Sequence, residues 1–201
     1  MNITNAEYFT FNVDNSMLLI GQSGTGKSVL VDKYIERLLK SYAPDKLKFI
    51  LLDMTGVDFD LLRENHQEYI QEDVRFDSGK GLDVLEVTAH TAEERANSSD
   101  KEPMLVVLIE ECDMAATDQE HFDSLIIRIN KVASSANMKV IYSTSRPAPD
   151  VVSRNLLESF DIILAGTLSE ADYKNLGIEK PEEHTKYDFV VTQRSQNLLF
   201  N

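Results

Sequence analysis

Eight residues, Gly21-Gln22-Ser23-Gly24-Thr25-Gly26-Lys27-Ser28, constrain this 201-residue chain more than any other stretch. They fit the pattern G-x-x-x-x-G-K-[ST]. By average residue frequencies a chance match in a chain of this length has a probability of roughly 1%. The setting narrows it further, because an apolar run at 17–20 leads straight into the glycines and an amphipathic stretch follows Lys27. Glycines let the backbone wrap an anion with successive N–H groups turned inward. The N-terminus of the following helix adds its dipole. A lysine placed like Lys27 reaches β- and γ-phosphates, and a hydroxyl placed like that of Ser28 can coordinate Mg²⁺. Gly21, Gln22, Ser23, Gly24, Thr25, Gly26, Lys27, Ser28 and Val29 are therefore the expected nucleotide-contacting residues, with ATP and Mg²⁺ as ligands.

Other short apolar runs, at 48–52, 104–109, 139–143 and 161–165, predict further buried strands. Residues 29–39 carry an apolar stripe of helical period through Val29, Leu30, Tyr34, Ile35, Leu38 and Leu39, and 125–133 repeat it with Leu125, Ile126, Ile129 and Val132. A weaker pattern predicts a helix over 82–95, and 150–159 a short one after Pro147 and Pro149. Strands alternating with helices predict a parallel sheet covered on both faces, a three-layer α/β fold. The tail differs: residues 187–192 and 197–200 flank 193–196 and predict an antiparallel hairpin at a sheet edge. At this length one domain over residues 1–201 is expected, with the polar stretch 97–103 as an internal loop.

Two strand ends carry chemistry. Residues 104–109 run into Glu110-Glu111. In an ATP-hydrolysing site the first acid suits the metal side and the second suits general-base work on water, so Glu110 is the expected metal residue beside Ser28, and Glu111 the expected base. Asp53, which ends the run 48–52, competes for the metal side but has no second acid beside it. The strand Val140-Ile141-Tyr142-Ser143 turns polar at Thr144-Ser145-Arg146. Ligands of open α/β sheets lie beyond such ends, so Thr144 or Ser145 is placed to sense a γ-phosphate, and Arg146 to serve the nucleotide or a neighbouring subunit.

Acidic residues outnumber basic ones 34 to 20, for a net charge of −14. That balance exerts no overall pull on nucleic acid or an anionic membrane, and duplex DNA is expected to bind the isolated chain weakly. No apolar run approaches a membrane span, and residues 1–7 lack the features of a signal peptide. The single Cys112 excludes an internal disulfide and suits a reducing compartment. The expected location is the cytoplasm. His66, His90, His121 and His184 share no metal-ligand spacing.

The combination resembles the FtsK/SpoIIIE family, within the larger FtsK–HerA group. The resemblance rests on Leu18-Leu19-Ile20-Gly21 with its GKS loop, Lys48-Phe49-Ile50-Leu51-Leu52-Asp53, Ala92-Glu93-Glu94-Arg95, Leu108-Ile109-Glu110-Glu111, and Ser143-Thr144-Ser145-Arg146-Pro147 followed by Pro149-Asp150-Val151-Val152. It implies a RecA-like (ASCE) core, ATP hydrolysis with Mg²⁺, assembly into a homo-oligomeric ring (a hexamer) and translocation of double-stranded DNA. A related branch forms ATPase modules of type VII secretion, the alternative function. A small-molecule kinase is the third, less fitting for want of an arginine-rich lid. Three departures stand out. The family's usual Asp-Glu is Glu110-Glu111, the Gln of its Thr-Gln-Arg-Pro segment is Ser145, and an arginine usual before the last of these strands is replaced by Val132-Ala133-Ser134-Ser135-Ala136. Any arginine acting across a subunit boundary is then expected from Arg146, from Arg154 or from a partner protein. The chain is expected to be a bare motor core without membrane anchor or added winged helix.

Overall fold

Neighbouring residues of the central strands serve opposite sides of the sheet, as the two-residue repeat of a strand requires. Met17 and Leu19 are buried with Leu30, Tyr34 and Ile35 on one face, and Leu18 and Ile20 with Leu85, Phe122 and Ile126 on the other. Strands buried on both sides read as continuous apolar runs, which is why the sequence displays them so clearly. The computed structural model describes residues 2–3, 15–53, 56, 58–75, 78–112, 118–182 and 188–193. In chain order its elements are β1 (Asn2–Ile3), β2 (Met17–Ile20), α1 (Lys27–Ser41), β3 (Leu47–Asp53), α2 (Asp60–Asn65), β4 (Ile70–Arg75), α3 (Ser78–Ala96), β5 (Met104–Glu110), α4 (Gln119–Ala136), β6 (Met138–Thr144), α5 (Arg154–Ser159), β7 (Ile162–Ala165), α6 (Glu170–Leu176) and β8 (Phe189–Gln193).

The sheet order is β1-β8-β7-β2-β6-β5-β3-β4. Strands β2 to β7 pair in parallel, whereas β8 runs antiparallel to β7 and β1 antiparallel to β8. The chain steps outward from β2 to β3 and β4, with α1 and α2 on one face. It then steps back through β5 and β6, with α3 and α4 on the other. Right-handed crossovers require that change of face when the direction reverses. Insertion of β6 between β2 and β5 is the RecA-like arrangement, and the expected three-layer α/β fold is the one observed.

Several boundaries differ from the periodicity. The helix expected at 150–159 is confined to α5, because Val151 and Val152 donate to the Ala148 carbonyl in a turn and Ser153 caps the helix proper through the Leu156 N–H. Residues 58 and 59 form a turn that leads into α2. The C-terminal antiparallel strand is present as β8, while the expected return at 197–200 lies outside the described residues. The Ala92-Glu93-Glu94-Arg95 segment proves to be bracing. Glu93 accepts two bonds from the Arg128 guanidinium at 3.0 and 2.9 Å, tying α3 to α4. Arg95 donates to the carbonyls of Lys101 and Pro103 and holds the loop before β5.

Candidate functional site

The parallel strands end level with one another. Asp53 is in register with Glu110, and Glu110 with Ser143; Ile20 is in register with Thr144 on one side and Ala165 on the other. The first residues beyond β2, β5, β6 and β7 gather at this edge. Backbone bonds knit it: Gly21 N–H donates to the Thr144 carbonyl at 3.3 Å, Gln22 N–H to Thr167 at 3.1 Å, and Glu111 N–H to Ser143 at 2.9 Å.

Between β2 and α1 the loop closes on itself through Thr25, whose N–H and hydroxyl both donate to the Gln22 carbonyl. Gly24 and Gly26 lie at φ 78° and 95°, in the left-handed region that favours glycine. A β-carbon on Gly21 would meet the Thr25 hydroxyl at 2.8 Å, so that position is also closed to larger residues. No side chain caps α1 at Gly26, whereas Asp118, Ser153 and Ser169 cap α4, α5 and α6. The first N–H groups of α1 are thereby left for an anion.

Lys27 is buried at the mouth of this loop. Its ammonium donates to the Gly21 carbonyl at 2.8 Å and lies 3.7 Å from Oε1 of Glu111. The other carboxylate oxygen of Glu111, Oε2, accepts from the Ser145 N–H at 2.9 Å and from its hydroxyl at 3.0 Å. Lys27, Glu111 and Ser145, read from three separate sequence segments, thus form one contiguous group. Arg146 does not join it. Its guanidinium is half-exposed and faces Asp150 at 3.7 Å. Val29, in the first turn of α1, is 53% exposed.

Ser28 and Glu110 line a cavity of about 260 Å³ together with Val31, Asp32, Asp58, Phe59 and Asp60. Glu110 is 4% exposed. Burial pushes its carboxyl up to about 8; Asp58 and Glu111 push the same way, against the Ser143 hydroxyl and Lys27. Burial, then Asp58 and Glu36, also raise Asp32. A hydroxyl and a buried acid among further carboxylates match the oxygen ligands that Mg²⁺ takes beside phosphate. Among the described residues no group of three His, Cys, Asp or Glu side chains is set to hold a metal by itself, and a cation shared with phosphates needs only one or two protein ligands. Asp53 is spent elsewhere. Its carboxylate accepts from Gly56 N–H and from Arg63, each at 3.0 Å. Arg63 also grips Asp73 at 2.9 and 2.8 Å and the Asp58 carbonyl. Sequence reasoning missed Asp58, which lines this cavity beside Glu110 and whose carbonyl the clasp holds.

A strand–loop–helix phosphate cradle, an acid-tipped β5 and an inserted β6 define a P-loop NTPase fold of the RecA-like group. Within that group the chain matches the model of the FtsK/SpoIIIE family over residues 2–67. It is 26% identical over 174 residues to the DNA translocase FtsK of Streptococcus pyogenes serotype M3, covering 74% of this chain and 22% of the relative. The chain thus spans about a fifth of the length of that curated relative. Among solved structures it resembles the cytoplasmic domain of the type VII secretion ATPase EccC of Thermomonospora curvata, with a TM-score of 0.73, 16% identity, and coverage of 92% of this chain and 23% of that one. It also resembles the genome packaging NTPase B204 of Sulfolobus turreted icosahedral virus 2 in complex with ATP-gammaS, with a TM-score of 0.58, 15% identity, and coverage of 91% and 94%. No described helix is long and apolar enough to cross a membrane.

Proposed function

We propose that the chain binds ATP at Gly21–Ser28 and hydrolyses it as the motor core of a DNA-translocating assembly. The observation that carries this reading is the convergence of Lys27 and Glu111, with 3.7 Å between ammonium and carboxylate at the mouth of an uncapped, glycine-turned loop. The similarity to DNA translocases supports DNA as the polymer. Backbone N–H groups of the loop and the Lys27 ammonium hold the phosphates. Glu111 takes a proton from water as the water oxygen bonds to the γ-phosphorus. The bond from that phosphorus to the β–γ bridging oxygen breaks, and ADP and phosphate leave. Ser28 and Glu110 would hold Mg²⁺, which supplies charge neutralisation on the phosphate oxygens.

A second reading, an ATP-binding module of a secretion machine with little turnover of its own, is favoured by the net charge of −14 and by the likeness to EccC. ATP turnover with and without duplex DNA separates the two. The motor reading expects DNA to stimulate hydrolysis, and Glu111→Gln to bind ATP yet turn it over at least ~10²-fold more slowly. Undiminished turnover in Glu111→Gln would remove the base assignment; turnover indifferent to DNA at every protein concentration would favour the secretion module.

A further inference from the structure

We propose that Ser145 is a positioning residue for Glu111, so that the end of β6 acts on the general base rather than on the phosphate. The inference rests on the hydrolytic reading above, in which Glu111 is that base.

The argument begins with counting protons. A serine offers one hydroxyl proton and one backbone N–H. Both are directed to the same oxygen of Glu111, Oε2, at 3.0 and 2.9 Å. Neither is left for a phosphate oxygen while this arrangement persists. The two carboxylate oxygens of Glu111 are thereby made unequal. Oε2 is held by Ser145, and Oε1 faces the Lys27 ammonium at 3.7 Å, the side from which phosphate is gripped.

The backbone points the same way. Glu111 sits at φ 51°, a left-handed conformation that a residue other than glycine holds when its surroundings impose it. Its N–H is fixed by the Ser143 carbonyl and its carboxylate by Ser145, so two consecutive contacts from β6 pin both ends of the residue. The β6 exit is itself braced. Arg146 N–H donates to the Thr144 hydroxyl at 3.1 Å. Further on, Gln119 at the start of α4 donates to the Val151 carbonyl at 3.1 Å and to Asp123 at 2.8 Å. A base oriented by a third group whose own position is fixed is the usual construction of a hydrolytic site. A free glutamate side chain, by contrast, spreads over many rotamers.

The contact and its kinetic role are tested separately. In the nucleotide-free chain, Glu111→Asn suits a left-handed position but is too short to reach Ser145. It should speed hydrogen exchange of the Ser145 amide at least tenfold, with Tyr142 of β6 as the internal reference. Unchanged Ser145 exchange overturns the inference, whatever the turnover. In single-turnover hydrolysis at saturating ATP and Mg²⁺, Ser145→Ala should slow the step about 10-fold, the size of lost orienting contacts, while affinity for ATPγS stays within about twofold. Ser145→Thr should restore the rate. Added to Glu111→Gln, Ser145→Ala should cost nothing more, since residues that act through one another are not additive. A several-fold loss of ATPγS affinity in Ser145→Ala, or an equal loss of rate in parent and Glu111→Gln backgrounds, would assign Ser145 to the phosphate and overturn the proposal. Undiminished turnover in Glu111→Gln marks the different failure, that of the hydrolytic reading on which it rests.

Discussion

Lys27 is already engaged before any phosphate arrives, donating to Gly21 and facing Glu111. Nucleotide must therefore exchange these partners for phosphate oxygens, which offer more negative charge. Removing the ammonium leaves that charge without its main cation. Lys27→Ala should weaken ATP binding by at least about 30-fold, the equivalent of ~2 kcal/mol at the low end for loss of a buried charge partner. Calorimetry that returned equal affinities would show the loop to be assigned wrongly. Glu110 is poised in the opposite sense. Its carboxyl is pushed up to about 8 from 4.5, chiefly by burial, so the fold favours the protonated form. Between pH 4.5 and 8 the native state then binds more protons at this group than the unfolded chain does. The stability it contributes is full below pH 4.5 and is lost as pH rises through 8. Glu110→Gln should remove this slope. In metal- and nucleotide-free protein the variant should melt higher than the parent at pH 8, by a margin that shrinks toward pH 5 and represents on the order of a few kcal/mol. Parallel melting curves across that range would show Glu110 to be ionised in the free fold.

At the scale of elements, the clasp centred on Arg63 ties α2, β3 and β4 together and carries the Asp58 loop to the site. Asp53 is fully buried, and Arg63 is the cation bonded to it. Breaking one side of such a pair leaves a buried charge poorly compensated, a cost of about 3 kcal/mol once the partial exposure of Asp73 is discounted. Arg63→Met should lower the denaturant midpoint accordingly, and adding Asp53→Asn should recover part of the loss; an unchanged midpoint in the single variant would mean the clasp is dispensable. Two of these elements, α2 and β4, were among the hardest to read in the sequence. The strands β2, β3, β5, β6 and β7 are buried on both faces, so each was visible as an apolar run. Strand β4 lies at the sheet edge, with Gln71, Glu72 and Asp73 facing solvent, and carries no such signal. Helices α2 and α6 span six and seven residues, too short for a period to declare itself. In the site, the loop from Gly21 to Ser28 was legible because its chemistry is local. The engagement of Ser145 with Glu111 spans 34 positions and the approach of Asp58 to Glu110 spans 52. Both follow from β3, β5 and β6 ending level, a tertiary fact that no local pattern carries.

Over the whole molecule, charge and exposed arginines bear on how the proposed motor would work. With 34 acids against 20 bases, the isolated chain should bind duplex DNA only weakly at 150 mM salt, and submicromolar affinity there would contradict this. Hydrolysis poses a related demand. An arginine supplied to the transferring phosphate is worth roughly 10³ to 10⁵ in turnover. Within the described chain the cation at the phosphate loop is Lys27; Arg146 faces Asp150 and Arg154 faces Glu158 at 2.8 Å, both at the surface. Among the described residues each guanidinium is held by an exposed i,i+4 pair worth a few tenths of a kcal/mol, weak enough to be exchanged for a neighbouring subunit. Turnover per chain should accordingly be slow at low concentration and rise as subunits associate. Arg154→Ala or Arg146→Ala should abolish the rise without altering ATP affinity. If instead a different protein supplies the arginine, turnover should stay low and flat until that partner is added. Fast turnover at nanomolar concentration, with the chain shown to be monomeric by sedimentation, would exclude both arrangements and mean that one chain holds a complete site.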